Sequence, residues 1–177
     1  MSEIRGLSVT QPWASLIACG GKQFETRNWA TPYRGLLVIH AAKTFPTAAV
    51  EFAEQDIVLG PLTRAGIVPS WWQPWDMRGY SLKDFLPLGA CIAVATLQNC
   101  LATPPSNVPW REYAGELRLP PTGDELAFGD YSPGRYAWLL ADVRRLATPI
   151  ACRGDLGLWR VSDDVVAQIR AQRSEVS

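Results

Sequence analysis

Three charged residues stand close together near the start of the chain, in Gly20-Gly-Lys22-Gln-Phe-Glu25-Thr-Arg27. An ammonium, a carboxylate and a guanidinium at this spacing support two kinds of chemistry. In the first, Glu25 accepts a hydrogen bond from the exocyclic amine of a base while Arg27 donates to a phosphate or a carbonyl. In the second, burial lowers the pKa of Lys22 so that it serves as base or nucleophile, with Glu25 as acid or orienting group. The plain alternative is an ion pair between Glu25 and Arg27 beside a solvated lysine. Arg34 and Lys43 read first as surface charges and second as phosphate contacts.

The surrounding residues show how such a group would be positioned. Leu7 and Val9 alternate with Ser8 and Thr10 at strand period, and Pro12 then opens a short helix. Trp13, Leu16 and Ile17 share one helix face, and Gly20-Gly21 supplies the positive φ that ends it. Two turns do not stand alone in water, so packing through Trp13 must pin them. Strand alternation from Gln23 puts Glu25, Arg27 and Trp29 on one side and Phe24 and Thr26 on the other. Pro32 to Gly35 makes a turn, and Leu36 to Ala42 is a nearly unbroken apolar, β-branched run of the kind buried on both faces of a sheet.

These residues carry a resemblance. The succession QPWA, GxKxxExR at residues 20–27, W-x-TPYRG at 29–35 and a strand ending HAAK at 40–43 resembles the ASCH domain family. Further matches follow: Leu88-Gly89 opening an apolar strand, Phe128-Gly129-Asp130-Tyr131 before Gly134 to Trp138, and Pro149 leading to Gly157-Leu-Trp159. The resemblance implies a PUA-like fold, an α+β architecture in which a small mixed or antiparallel β-barrel is flanked by helices and carries long loop insertions. It also implies that Lys22 points into a ligand cleft, with Asp130 and Tyr131 at the barrel mouth. The superfold includes nucleic-acid readers and enzymes, so the fold does not choose between them. In the acetylcytidine amidohydrolases of this superfold the motif lysine is catalytic, a threonine stands three residues after it and a glutamate comes from a later strand. Here Glu25 takes the threonine position and the strand from Cys91 to Thr96 has no acid, which counts against that reaction by those residues.

At 177 residues the chain reads as one domain, 1–177, able to bury roughly two thirds of its unfolded surface. Its 17 basic and 17 acidic residues balance, which excludes a broad basic face. The first 43 residues nevertheless hold five basic against two acidic side chains, so a local positive cleft is expected. Cys19, Cys91, Cys100 and Cys152 form no C-x-x-C pair and His40 is the lone histidine, so neither a metal nor another cofactor is expected. The cysteines read as buried or free thiols of a protein in a reducing cytoplasm. No signal peptide or membrane-spanning run is read in the sequence. Nucleophilic triad chemistry would have to use His40, inside a strand.

Farther along, Pro46 to Val58 reads as one helix with Ala49, Phe52, Ala53 and Ile57 inward. Residues 60–87 are irregular yet hold Trp71, Trp72, Trp75, Tyr80 and Phe85. These rings form either a lid packed on the barrel, a stacking wall beside the cleft, or a docking surface for a protein partner through Trp71, Trp72 and Trp75. Leu88 to Leu97 is a buried strand. A proline-containing excursion at 98–133 follows, with a short helix from Trp110 to Leu117. Gly134 to Val143 is a strand that Arg145 to Ile150 continue. Leu156 to Val161 closes the sheet with Trp159 in the core, and a helix capped by Asp163 runs to Arg173 with Val166, Ile169 and Arg170 inward.

The preferred reading is a nucleic-acid-binding domain, for RNA or single strands, with a cleft for a nucleotide or a modified base. Its candidate contacts are Thr10, Gln11, Trp13, Lys22, Glu25, Arg27, Trp29, Arg34, Lys43, Asp130 and Tyr131. Thr10 and Gln11 lie where a helix N-terminus offers backbone N–H groups to an anion, and each residue has an ordinary packing or capping role as its alternative. The other reading is a small hydrolase acting on a modified nucleoside or on RNA through Lys22 and Glu25.

Overall fold

The computed structural model describes residues 4–75, 77–106, 108 and 123–174. Its elements follow in the order β1 (Arg5–Val9), α1 (Trp13–Ala18), β2 (Phe24–Arg27), β3 (Gly35–Ala41), α2 (Thr47–Ala53) and α3 (Asp56–Arg64). After them come β4 (Ala90–Ala102), α4 (Asp124–Ala127), β5 (Tyr136–Ala151), β6 (Leu158–Arg160) and α5 (Asp163–Ser174). The strands form one mixed sheet in the order β2-β5-β4-β3-β1-β6, curled into a half-barrel. Only β1 and β3 pair in parallel, because α1 and β2 carry the chain across between them. The curl brings the first and fifth strands within reach: Arg27 on β2 donates from Nη2 to the carbonyl of Ser8 on β1 at 2.8 Å.

Three apolar clusters hold the fold. On one face of the sheet α1 packs Ile17 against Leu7, Val9, Leu37, Ile39, Leu97, Trp138 and Leu140. Leu16, on the same helix, joins a second cluster with α2, α3 and the 60–87 segment, where Val58, Leu62, Trp72, Leu82 and Phe128 are buried. On the other face α5 covers Val38, Val94, Leu146 and Ile150 with Val165 and Ile169.

Several boundaries differ from expectation. The helix read over 46–58 is two helices, because Gln55 adopts an extended conformation and caps the second. Gly60 and Pro61, read as loop, lie inside α3: burial of Val58, Leu59 and Leu62 outweighs the hydrogen bond that Pro61 cannot donate. The strand expected to stop at Leu97 runs to Ala102. The helix expected over 110–117 lies outside the described residues. Trp159 is half-buried and not in the core; its indole lies over Gly6, where a Cβ would sit 2.5 Å from the ring. Ser162, not Asp163, caps α5: its carbonyl and hydroxyl accept from Val166 and Val165 N–H, and Asp163 follows in the first turn. The inward residues of α5 are Val165 and Ile169, while Val166 is half-buried and Arg170 exposed.

Candidate functional site: a pocket backed by a buried charge chain

The site grows from the turn after α1. Gly20, at φ +76°, lets the chain reverse so that Lys22 N–H returns to the carbonyl of Leu16 at 3.0 Å. The Lys22 side chain then runs inward and is 1% exposed. Its Nζ donates to the carbonyl of Phe128 at 2.7 Å and lies 3.9 Å from Glu25 and 3.8 Å from Glu125. Burial pushes the Lys22 pKa down while the two carboxylates oppose the shift. Glu25, 8% exposed, meets Arg27 at 3.1 Å on its other side. The four side chains therefore alternate in sign through the interior, Glu125, Lys22, Glu25, Arg27. The expected meeting of ammonium, carboxylate and guanidinium is present, and a second carboxylate completes it.

Sequence reasoning missed Glu125. Its carboxylate accepts from the backbone N–H groups of Gln23 (2.7 Å) and Phe24 (3.1 Å) and from the hydroxyl of Tyr131 (3.2 Å), so it ties α4 to the start of β2. Burial, with Glu125 beside it, drives the Tyr131 phenol pKa upward. The motif Asp124-Glu-Leu-Ala127 gives no local signal of this role, since its partners lie about a hundred positions earlier.

Glu25 opens onto a pocket of about 430 Å³ lined by Trp13, Thr26, Phe52, Phe128, Gly129, Asp130 and Arg135. Trp13 and Phe52 stack with centroids 5.4 Å apart and planes within 14°, which makes one aromatic wall. At the mouth Asp130 is paired with Arg135 at 3.3 Å and accepts from Ser132, whose hydrogen bonds hold the Asp130 pKa down. Asp130 N–H donates to the Thr26 hydroxyl at 3.1 Å. Gly129 is required between them: a Cβ there would lie 2.8 Å from the Tyr131 ring and 2.9 Å from Thr26.

The remaining predicted residues lie elsewhere. Gln11 is fully buried, where it accepts from Ser15 N–H and donates to the Pro87 carbonyl, capping α1. The carbonyl of Thr10 accepts from Ala14 N–H. Trp29 packs edge-on against Trp138. Arg34 donates to the carbonyls of Thr31 and Tyr33 and to Asn99. Lys43 is exposed and lines a separate hollow beside His40. With Lys22 and Arg27 paired inside and Arg34 bound to carbonyls, the positive charge of the first 43 residues is largely used internally and does not make a cationic cleft.

The aromatic segment contributes nothing to the lining of this pocket. Trp72 is buried and donates to the Tyr80 carbonyl, so the expected docking surface loses it. Trp71 and Trp75 are exposed, and Arg78 lies 4.3 Å over the Trp71 ring.

His40 pairs with the Ser8 hydroxyl at 3.2 Å through Nδ1 and faces the Cys152 carbonyl at 3.1 Å through Nε2. Gly154 packs against this pair so closely that a Cβ there would lie 2.4 Å from both partners. Cys91 and Cys152 are free thiols with sulfurs 3.1 Å apart. Among the described residues no cluster of three or more His, Cys, Asp or Glu side chains is arranged to hold a metal, and no helix is long and apolar enough to cross a membrane.

Comparison with known proteins bears on the family and the fold. The chain is 54% identical over 41 residues to human activating signal cointegrator 1 and 51% identical over 41 residues to the mouse protein. Those segments are 23% of this chain and only 7% of either relative, so the match spans a small part of their length. Among solved structures, the ASCH protein of Zymomonas mobilis superposes with a TM-score of 0.51 at 16% identity, covering 96% of this chain and 94% of that one. A single-residue variant of it gives a TM-score of 0.52, also at 16% identity, over 96% and 98% of the two chains. At that identity the likeness concerns the fold. The ASCH domain model matches residues 7–150, which include the turn of Lys22, the β2 acid and the Phe128–Asp130 rim, and the chain therefore belongs to the ASCH domain family.

Proposed function

We propose that this ASCH domain binds nucleic acid, RNA or a single strand, by accepting one unstacked base or nucleotide in the pocket between the Trp13–Phe52 wall and Glu25. The observation that carries the reading is Glu25 itself. A carboxylate held from behind by Lys22 at 3.9 Å and Arg27 at 3.1 Å faces a pocket with an aromatic wall. Such an acceptor suits an exocyclic amine, and the wall suits the face of a base, an interaction of about 1–3 kcal/mol per base. A volume near 430 Å³ fits one nucleoside and not a stack of them. Arg135 at the mouth is the nearest group for a phosphate, and the internal use of Lys22 and Arg27 implies few phosphate contacts and a shallow salt dependence. The association of the family with nucleic-acid binding supports the same reading. A cytoplasmic location belongs to it, and the exposed Trp71 and Trp75 are where a protein partner would dock.

Fluorescence polarisation on short RNA and DNA single strands and on duplexes, at low and moderate salt, tests the proposal. Single strands should bind better than duplexes, and Glu25→Gln and Trp13→Leu should each weaken binding about tenfold, equivalent to roughly 1.4 kcal/mol. Absence of binding at low salt, or folded variants that bind like the wild type, would remove the reading.

A second reading has its own observation: a buried lysine with a lowered pKa, next to Glu25 and bonded to the rim residue Phe128, has the attributes of a base or nucleophile. Turnover of acylated cytidines or of RNA, lost in Glu25→Gln, would favour a hydrolase. No turnover of either class by the folded wild type would remove it.

A further inference from the structure

All four cysteines are free, but only two of them meet. Cys91 and Cys152 are 61 positions apart in sequence, and their sulfurs stand 3.1 Å from one another. Cys19 donates to the Leu16 carbonyl and packs against the second cluster, and Cys100 packs against the first.

Cys91 reaches the pair through a register change in β4. Ala93, Ala95 and Leu97 face the first cluster, and unbroken alternation would turn Cys91 the same way. Ile39 pairs with Ala93 and His40 with Cys91, so one step on β3 matches two on β4: one extra residue is inserted. Beyond this bulge Cys91 changes face and lies with Ile150 in the third cluster. Bulges recur where a side chain must be re-aimed. Cys152 comes to the same face from β5. Cys91 lies opposite Ile150, and Cys152 is two residues farther on, its N–H still donating to the Gly89 carbonyl at 3.2 Å. Residues two apart on a strand share a face, so the two cysteines are diagonal neighbours. Diagonal positions on paired strands stand about 7–8 Å apart, so sulfurs at 3.1 Å mean that both side chains turn toward each other. A disulfide is about 2.05 Å long, so roughly 1 Å of further approach closes one.

The two thiols differ in access. Cys91 is fully buried, and burial, together with the Cys152 contact, pushes its thiol pKa up. Cys152 is half-buried and lines a hollow of about 890 Å³, which the exposed Lys43 and Arg153 also line. The acid of this hollow, Asp155, accepts from Leu156 N–H through its carboxylate. A reagent entering the hollow therefore meets Cys152 first.

We infer that Cys91 and Cys152 form a reversible dithiol–disulfide site, oxidised by low-molecular-weight disulfides of the glutathione type. The Cys152 thiolate attacks one sulfur of the reagent, the S–S bond breaks, and one glutathione leaves with the electron pair and takes up the proton that Cys152 gave. The Cys91 sulfur then attacks Sγ of Cys152 in the mixed disulfide and gives its proton to the second departing glutathione. In all, the two cysteines lose two electrons and two protons, and the glutathione disulfide becomes two thiols. The carboxylates of glutathione suit the two cations of the hollow. The new bond ties β4 to the segment in which Gly154 packs on the Ser8–His40 pair. Neither cysteine lines the Glu25 pocket, so this inference stands apart from the proposal made for it.

Incubation of the full chain in glutathione buffers of increasing oxidised share, quenched by alkylation and read by peptide mass mapping, tests the site. We expect the folded wild type to keep Cys19 and Cys100 alkylatable, to lose Cys91 and Cys152 together, and to yield one peptide linked through these two that dithiothreitol separates again. Cys91→Ser should trap a single glutathionyl group on Cys152, and Cys152→Ser should leave Cys91 unmodified in the folded chain. The wild-type map decides the question even where a variant fails to fold. The inference is overturned by any of these results: Cys91 and Cys152 both alkylatable in fully oxidised glutathione, a linked peptide that forms only in urea, oxidation of Cys19 or Cys100 as readily as of the pair, or a glutathionyl group on Cys91 in folded Cys152→Ser.

Discussion

The ammonium of Lys22 donates to the carbonyl oxygen of Phe128 at 2.7 Å, joining the turn after α1 to a loop 106 positions along the chain. The same nitrogen stands between Glu25 and Glu125. Removing it leaves buried Glu25 and half-buried Glu125 without their shared cation and the Phe128 carbonyl without its donor. We expect Lys22→Met to lose roughly 3–5 kcal/mol of unfolding free energy in urea titration. A loss below about 1 kcal/mol would show that the charge chain is not structural. Loss of binding or activity in this variant is therefore informative only beside a measurement of its fold.

Glu125 should behave as a positioning residue. Its carboxylate accepts from two backbone N–H groups and the Tyr131 hydroxyl, and glutamine would turn a donor toward at least one of them. Glu125→Gln is expected to lower stability by about 1–3 kcal/mol, and Tyr131→Phe by about 1 kcal/mol. Hydrogen exchange at Gln23 and Phe24 checks the mechanism. Unchanged protection of both amides in Glu125→Gln would count against it.

His40 provides a pH signal with a single source, being the chain's one histidine. Burial lowers its pKa below the ordinary 6.5, while the hydrogen bond to the Cys152 carbonyl pulls the other way. A base whose folded pKa is depressed binds its proton first in the unfolded chain. Its contribution to stability is thus fully present above 6.5 and falls as pH drops toward the folded value. Urea midpoints between about pH 7.5 and 5 should decline with acidification more steeply in the wild type than in His40→Gln. Parallel profiles would exclude this account.

Gly154 lies against the Ser8–His40 pair, where any Cβ would be 2.4 Å from both. Gly154→Ala should cost about 1–3 kcal/mol through overpacking, read as a lowered melting temperature. Gly20→Ala meets no neighbouring atom, and its cost comes from φ +76° alone, about 1 kcal/mol. Equal costs at the two positions would mean that packing at Gly154 is relieved by movement of the loop.

Arg27 joins β2 to β1 across the curled sheet through the Ser8 carbonyl and also neutralises Glu25. Both contacts are made by Nη2, and lysine keeps the charge but carries its nitrogen on a shorter side chain. Arg27→Lys is expected to lower stability by about 1–2 kcal/mol, most of it recoverable when Glu25 is glutamine as well. Additive losses in a double-mutant cycle would show that the two side chains do not act together.

Much of the fold was legible in local residue patterns. Alternation at Leu7–Val9, the apolar run of β3, Pro12 before α1 and Gly20 after it act over one or two turns of chain, and the elements formed where they point. The ordered motifs at residues 10–43 and 128–138 led to the ASCH fold, and the spacing of Lys22, Glu25 and Arg27 on one turn and one strand was enough to bring them together. Patterns misled where packing outweighed propensity, as in α3, where a proline is held inside a helix by the burial of Val58 and Leu62. They were silent about everything set by contacts distant in sequence. Tertiary structure decided that Glu125 backs Lys22, that Phe52 and not the tryptophans of 71–75 stacks beside Trp13, and that Arg27 fastens the sheet. The physical reason is that hydrogen-bond periodicity and backbone preference are properties of neighbouring residues. Which side chain fills a pocket, and which charge is left facing outward, depends on how the sheet curls and where a bulge changes its register.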